Sequence, residues 1–281
     1  MRKYNGVHYD LDKFSQTLKL RDFYHEQLLS APVGTPKGFK KFGGSSIGNI
    51  FETDAYKGKF LAFLHMTRLS LPLFQKKYTA AGEAVEPKIF EEMKKANPAL
   101  DIQHIEAAKV GYDYFKGVHD ILGGVPDGII PSKKIVLEMK AVQAKKQAIW
   151  EENNNSGVPL DYRKQAQLYA YLLGYNKYSI VAAFLEEQDY AKPELIDVTQ
   201  RNIGIYSFTI EKAKVEDDIK EITDFFTHYS RTGISPQYDA RRDYKVIEYL
   251  ECHNEQEWEQ LFNRWKRLGD IDEDIDFSQV R

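Results

Sequence analysis

The sequence lacks several features that would assign the chain to common classes of protein. Its single cysteine, Cys252, can form no disulfide within the chain and no cysteine-built zinc or iron–sulfur centre. No run approaches the roughly 20 apolar residues that span a bilayer, and residues 1–6 contain no apolar signal segment. We therefore expect a cytoplasmic protein without a membrane partner, in which any metal is held by oxygen or histidine.

An excess of positive charge is also missing. The formal net charge is -3, so the whole molecule lacks the basic field that is typical of nucleic-acid binders. The charge is uneven, however, because lysine pairs recur along the chain and residues 269–276 are acidic. A local basic groove is compatible with this distribution. The 281 residues, 42% of them apolar and 29% charged, indicate a globular chain with one main domain and extensions.

The spacing of apolar residues predicts a mixed α/β fold. Helical spacing is found in residues 11–29, 45–73, 83–95, 162–173, 212–229 and 254–268. Strand-like runs are found in residues 102–110, 112–122, 128–131, 135–142, 178–185 and 203–210. Residues 31–44 form a Pro/Gly-rich connector, and residues 151–157 are typical of a polar loop. This order predicts a mixed central sheet flanked by helices, with extra helices at both ends of the chain.

The most informative segment is a predicted hairpin that carries charged residues in an apolar strand. Residues 135–140 read Ile-Val-Leu-Glu-Met-Lys, and alternation along a strand places Glu138 and Lys140 on one face. Burying this pair costs free energy unless the charges find a partner or an ion. Asp127, one short turn earlier, is placed to approach the same face. An ordinary salt bridge on a solvated face is the alternative interpretation.

The two carboxylates of this segment suit a metal-dependent hydrolase. Together with phosphate oxygens and water, Asp127 and Glu138 provide the oxygen ligands that Mg²⁺ prefers. Lys140 is suited to orient a water molecule and to offset the charge that develops during phosphodiester hydrolysis. The residue types therefore indicate a phosphodiesterase site.

The spacing of Asp127, Glu138 and Lys140 resembles the PD-(D/E)xK nuclease signature. A second motif resembles the Gln-xxx-Tyr helix that follows the catalytic lysine in RecB-type and phage lambda exonuclease-type members. The resemblance implies that Gln165 is a catalytic-site residue and that Tyr169 contacts substrate, since one helical turn brings both to one face. The same spacing recurs at positions 167 and 171, so the register of this motif stays open.

A third motif lies upstream, where residues 81–87 are similar to the Gly-xxx-Glu segment of lambda exonuclease and the YqaJ-type viral recombinases. The resemblance implies that Glu86 is a further catalytic and metal-binding carboxylate, with Glu83 as its rival. A glutamate near a helix start is also favoured by the helix dipole, and Pro87 suits a first helical turn.

Residues 42–50 resemble the segment that precedes the catalytic core in the same family. Ser45 at a helix N-terminus can hold a DNA phosphate, although serine is equally a routine N-cap. Family members place an arginine before this serine to hold a terminal 5′ phosphate. This chain departs from that pattern with Lys37, Lys40 and Lys41, and we predict that Lys41 contacts DNA.

Taken together, the resemblance implies a restriction-endonuclease-like fold and hydrolysis of DNA with Mg²⁺, for which Mn²⁺ can substitute. We predict a nuclease core at 42–210, an N-terminal helical extension and connector at 1–41, and a C-terminal helical extension at 211–281. The predicted function is duplex-end exonuclease activity of the lambda or YqaJ type in phage-type recombination or repair. Its expected partners are double-stranded DNA ends, other copies of the chain and a single-strand annealing protein. A site-specific type II restriction endonuclease and a non-catalytic DNA-binding module are the alternatives.

Overall fold

The computed structural model describes residues 2–280, apart from the side chains of Asn153 and Asn154. Its residues form two compact units. The sheet unit comprises Gly43–Ser45 and Lys76–Ile219, and the second unit comprises Met1–Phe42, Ser46–Gln75 and Lys220–Arg281. The three-part division predicted along the sequence stays a prediction.

The sheet unit is built on five strands with helices before and between them. Its elements are α4 (Lys77–Ala96), β3 (Gln103–His104), β4 (Gly128–Ile130), β5 (Ile135–Gln143), α5 (Gln147–Asn155), α6 (Leu160–Leu172), β6 (Lys177–Leu185) and β7 (Asn202–Thr209). The strand order is β3-β4-β5-β6-β7, with β5 and β6 parallel and every other neighbouring pair antiparallel. The predicted mixed sheet with flanking helices is therefore confirmed.

Each face of the sheet has its own apolar core. On one face, α4 packs through Val85, Ile89 and Phe90 against Leu137 and Met139 of β5. On the other face, α5 and α6 contribute to a second cluster that includes Trp150, Ala166, Tyr169 and Ala170. The central strand β5 is therefore covered on both sides, as the apolar character of residues 135–142 requires.

Gly128 allows α4 to approach the hairpin closely. A Cβ atom at this position would lie 2.4 Å from the ring of Phe90 and 2.6 Å from the backbone oxygen of Gln103. Only glycine fits at such a distance. The close packing brings the middle of α4, which carries Glu86, to the start of β4.

The second unit is mainly helical. Its elements are β1 (Tyr9–Asp12), β2 (Thr17–Leu20), α1 (Asp22–Ser30), α2 (Ile47–Ile50), α3 (Lys59–Met66), α8 (Tyr244–Glu251) and α9 (Glu255–Arg267), while α7 (Lys212–Thr232) begins in the sheet unit and ends here. Trp258 of α9 is fully buried and packs against Phe74 and Trp265. Among the described helices, none is long and apolar enough to cross a bilayer.

Several predicted elements are confirmed with shifted ends. The helices predicted at 83–95, 162–173, 212–229 and 254–268 correspond to α4, α6, α7 and α9, and the strands predicted at 128–131, 135–142, 178–185 and 203–210 correspond to β4, β5, β6 and β7. The helix α4 begins six residues earlier than predicted. Pro87 therefore lies inside this helix and not in its first turn.

Other predicted elements are wrong. The N-terminal half of the helix predicted at 11–29 is the β1–β2 hairpin, and only its second half is helical. Of the strands predicted at 102–110 and 112–122, only Gln103–His104 forms a strand of the sheet. The helix predicted within 45–73 is two short helices, and most of the loop predicted at 151–157 belongs to α5.

Candidate active site

The β4–β5 hairpin brings the predicted charged residues together. Gly128 pairs with Leu137 across the antiparallel ladder. Asp127, directly before β4, accepts a 2.6 Å hydrogen bond through Oδ2 from the backbone N–H of Met139. The Asp127 carboxylate is thereby fixed beside the part of β5 that carries Glu138 and Lys140.

Glu138 is the buried centre of this group, with 1% of its side chain exposed. Its Oε1 accepts hydrogen bonds from Nζ of Lys140, at 2.6 Å, and from Nε2 of Gln165. Its Oε2 is buried and has no hydrogen-bond partner in the part of the chain that the structure describes. The pair with Lys140 is thus no ordinary surface salt bridge. A buried carboxylate oxygen without a partner costs free energy, so Oε2 is a position for a further ligand.

The charges of the site shift one another's protonation. Burial, followed by the charge of Asp127, raises the pKa of Glu138 to about 8. Burial also raises the pKa of Asp127. For Lys140, burial alone would lower the pKa, but the carboxylates of Glu138 and Asp127 raise it above its ordinary value. Two buried acids beside one lysine therefore form a site that favours an additional cation.

Glu86 reaches the same site from α4. Its Oε1 lies 2.8 Å from Nε2 of His104, and burial followed by the charge of Asp127 raises the pKa of Glu86. The ring of His104 stacks on Phe90 with centroids 4.5 Å apart. The rival residue, Glu83, is exposed. The structure thus brings Glu86, and not Glu83, near the other two carboxylates.

His104 was not predicted from the sequence. It lies on β3, opposite Gly128 in the ladder, and the next residue, Ile105, donates its backbone N–H to the carbonyl of Asp127. The signal in the sequence is strand alternation, which places His104 on the same face as the buried Ile102 and opposite the exposed Gln103. Its pairing with Glu86 depends on the position of α4, which local spacing does not predict.

The helix α6 supplies the predicted Gln-xxx-Tyr pair. Gln165 bonds Glu138, and the buried Tyr169 accepts a 2.8 Å hydrogen bond through its hydroxyl oxygen from the backbone N–H of Gly44. In the alternative register the glutamine is Gln167, whose side-chain oxygen accepts a hydrogen bond from the backbone N–H of Glu211. Only the first register therefore places its glutamine at the carboxylates.

Gly124 and Gly44 lie close to the Tyr169 hydroxyl. Gly124 has a φ of +118°, and a Cβ at that position would lie 2.2 Å from the hydroxyl oxygen. Tyr169 thus holds two glycine-containing loops near the site. Ser45 follows Gly44 in a short turn before α2 and is exposed.

Lys41 belongs to the second unit, where its carbonyl lies 2.9 Å from Nε2 of His65. The predicted contacts of Lys41 and Ser45 with DNA stay predictions.

The predicted metal ligands do not form a closed cage. Within residues 2–280, no group of three or more His, Cys, Asp or Glu side chains is gathered closely enough to enclose an ion. Mg²⁺ does not require such a cage, since it keeps several waters and is commonly held by one or two carboxylates and substrate phosphate. The unpartnered Oε2 of Glu138 and the adjacent Asp127 carboxylate can provide the one or two carboxylate ligands that Mg²⁺ needs.

The mixed sheet and its flanking helices define the restriction-endonuclease-like fold, and the buried acid–acid–lysine group is the arrangement expected of a nuclease of this class. Residues 37–176 match the YqaJ-like viral recombinase domain. This segment, about half of the chain, belongs to that family, which confirms the resemblance predicted from the sequence.

Two relatives found by sequence are described as uncharacterized proteins. One, from Mycoplasma genitalium, is 23% identical over 237 residues, which cover 71% of this chain and 84% of that protein. Its homologue in Mycoplasma pneumoniae is 24% identical over 241 residues, which cover 72% and 85%. The similarity therefore extends beyond the recombinase domain.

Two solved exonuclease structures are similar to this chain. A phage-related exonuclease from Haemophilus somnus 129PT has a TM-score of 0.51 at 14% identity, covering 69% of this chain and 95% of that chain. The alkaline exonuclease LHK-Exo of Laribacter hongkongensis, in complex with dAMP, has a TM-score of 0.49 at 13% identity, covering 80% and 98%. The Haemophilus structure therefore shows that this chain shares the fold of that exonuclease.

Proposed function

We propose that the protein is a divalent-metal-dependent deoxyribonuclease that hydrolyses phosphodiester bonds from the ends of double-stranded DNA. The observation that carries the proposal is the buried Glu138, whose Oε1 is bonded by Lys140 and Gln165 while Oε2 has no partner among the residues described. The recombinase-domain family supports DNA as the substrate. The complete acid–acid–lysine set favours a catalytic protein over a binding module.

The donor set suits Mg²⁺, with Mn²⁺ as a substitute, because it consists of carboxylate oxygens. Asp127 and Oε2 of Glu138 would hold the ion, and Glu86 would be the third acidic group. A bound ion of this kind polarises a phosphoryl oxygen and lowers the pKa of its water.

The surrounding side chains would position the reactants. The raised pKa of Lys140 keeps its ammonium group protonated, so it can hold the attacking water by a hydrogen bond and offset negative charge on the phosphoryl group. Gln165 fixes the orientation of the Glu138 carboxylate. Tyr169 ties α6 to the loop that contains Gly44 and precedes Ser45.

The family match also supports a proposal for the biological setting. We propose a role in phage-type recombination or repair in the cytoplasm. Other copies of the chain and a single-strand annealing protein remain the predicted partners.

The experiment is a comparison of linear and supercoiled circular duplex DNA, each with Mg²⁺ and with chelator. Wild type should degrade linear DNA in Mg²⁺ only and spare the circle. Lys140→Ala should reduce the rate by about 100-fold or more, the range for loss of one group that stabilises transition-state charge. Lys133→Ala, an exposed lysine on the turn of the same hairpin, is the matched control and should retain the rate.

Other outcomes would overturn parts of the proposal. Discrete fragments from circular DNA would indicate a restriction endonuclease. DNA binding without cleavage of either substrate would indicate a non-catalytic module. An unchanged rate in Lys140→Ala would remove that residue from the mechanism.

A further inference from the structure

One face of α4 continues beyond the candidate active site. Tyr78, Gly82 and Glu86 follow one another at intervals of four residues, so they lie on the same face of the helix. Ile89, seven residues after Gly82, returns to that face. Along this face the exposed fraction is 53% for Tyr78, 30% for the side chain of Glu86 and 1% for Ile89. The face is thus buried against the sheet at the Ile89 end and exposed to solvent at the Tyr78 end.

Gly82 leaves an open space on this face. Glycine in a helix interior lowers stability relative to alanine, so it needs a reason. A Cβ at Gly82 would meet no described atom within 4 Å, apart from the backbone of its own helix and its neighbours. Its φ is not positive either. Since neither packing nor backbone conformation requires glycine here, the space itself is the feature to be explained.

Tyr78 presents a ring that is half-exposed and held in place. The ring of Tyr190 meets it edge-on, with centroids 5.2 Å apart, and Nε2 of Gln143 lies 3.5 Å from its hydroxyl. Tyr190 is 4% exposed, and its hydroxyl has no hydrogen-bond partner in the described part of the chain. The ammonium of Lys77 lies 5.6 Å from the Tyr78 ring. Because this ammonium is paired with Glu187, the platform for a nucleic-acid base is the oriented ring itself.

We propose that this face of α4 is a nucleotide-binding subsite, in which Tyr78 stacks on a base of the substrate strand and Gly82 leaves room for that strand on its way to Glu86. The inference rests on the proposed nuclease function and adds the path of the substrate DNA strand along α4. The eight residues from Tyr78 to Glu86 correspond to about 12 Å of helix. At about 3.4 Å per nucleotide, the stacked base is about three to four nucleotides from the reacting phosphate.

The test uses a hairpin duplex with one open end, which gives bound DNA a defined register. Binding is measured by fluorescence anisotropy in chelator, where no cleavage occurs, and KM and kcat are measured in Mg²⁺. Tyr78→Phe keeps the ring, whereas Tyr78→Leu keeps only an apolar side chain. Tyr112→Leu, at a tyrosine that is 74% exposed, is the matched control.

Tyr78→Leu should weaken binding and raise KM by about fivefold to 100-fold, the range for loss of one stacked base, while Tyr78→Phe and Tyr112→Leu remain like wild type. Single abasic sites, placed in turn in both strands near the open end, should weaken binding of wild type at one position. The same abasic site should have no further effect on Tyr78→Leu. A merely structural tyrosine would not show this dependence on DNA position.

Gly82 is tested by increasing the size of its side chain. Gly82→Ala should raise the Tm by about 1–4 °C, because it removes a helix-interior glycine, and yet raise KM. Gly82→Leu should raise KM further. Ala80→Leu, two residues away and therefore on the opposite side of the helix, is the control and should leave KM unchanged.

The two proposals fail in different ways. Wild-type KM and binding in both Tyr78→Leu and Gly82→Leu, in a protein that degrades DNA, would overturn the subsite and leave the nuclease. A lower Tm in Gly82→Ala would show that the fold requires glycine at this position, and this result would also overturn the proposed subsite. A wild type that neither binds nor degrades DNA would overturn both.

Discussion

Replacing Glu138 by glutamine removes the ability of this buried side chain to carry a negative charge and preserves its shape. The amide oxygen can still accept the hydrogen bonds from Lys140 and Gln165, but the position of Oε2 then carries an NH₂ group that cannot bind a cation. The variant should therefore fold and lose divalent-ion binding. Glu83→Gln, at an exposed glutamate of α4, is the matched control.

The expected size of the effect follows from ligand linkage. An ion at 100 times its Kd stabilises the folded state by about 2.7 kcal/mol. For chains of roughly this size, about 1 kcal/mol corresponds to about 2–4 °C in Tm. Thermal melts with and without Mn²⁺ should thus show a rise of about 5–10 °C for wild type and Glu83→Gln. Glu138→Gln should show little or none, and an equal rise in Glu138→Gln would refute the assignment of this carboxylate.

Three further predictions concern pH and the residues around Glu138. In chelator, the free energy of unfolding should fall as pH rises from about 4.5 to about 8, because burial raises the pKa of Glu138 to about 8 and the folded state therefore holds that proton more tightly than the unfolded chain. Melts across this range should show a smaller fall for Glu138→Gln. Gln165→Leu should lower kcat by about tenfold to 100-fold with little change in KM, since Glu138 loses an orienting hydrogen bond; an unchanged kcat would contradict this. Gly124→Ala should lower stability by about 1–3 kcal/mol in denaturant titration, because its Cβ would meet the Tyr169 hydroxyl and its φ is +118°.

The parts of the site that are local in sequence could be predicted. The β4–β5 hairpin spans few residues, and strand alternation alone places Glu138 and Lys140 on one face. Gln165 and Tyr169 are one helical turn apart, so their common face also follows from the sequence. The register of that motif could not be fixed in the same way, because Gln167 differs from Gln165 only in what each meets in the fold.

The wrong predictions arose where tertiary contacts override local preference. The β1–β2 hairpin turns through Gln16 at a φ of +56°, a residue that gives no turn signal. Residues 112–122 are rich in strand-forming side chains but contribute no strand to the five-stranded sheet, and Gly111 and Gly117 turn the chain at positive φ. His104 pairs with Glu86 only because Gly128 lets α4 pack closely on the hairpin.

The most direct test of the account is the position of a bound ion in crystals grown with Mn²⁺. The anomalous difference map should show a peak at about 2.0–2.2 Å from Oε2 of Glu138, a typical distance for a divalent ion of this size, and also in contact with the Asp127 carboxylate. A map with no peak between these two acids, or with Mn²⁺ only on other carboxylates such as those of residues 270–276, would contradict the proposed metal site.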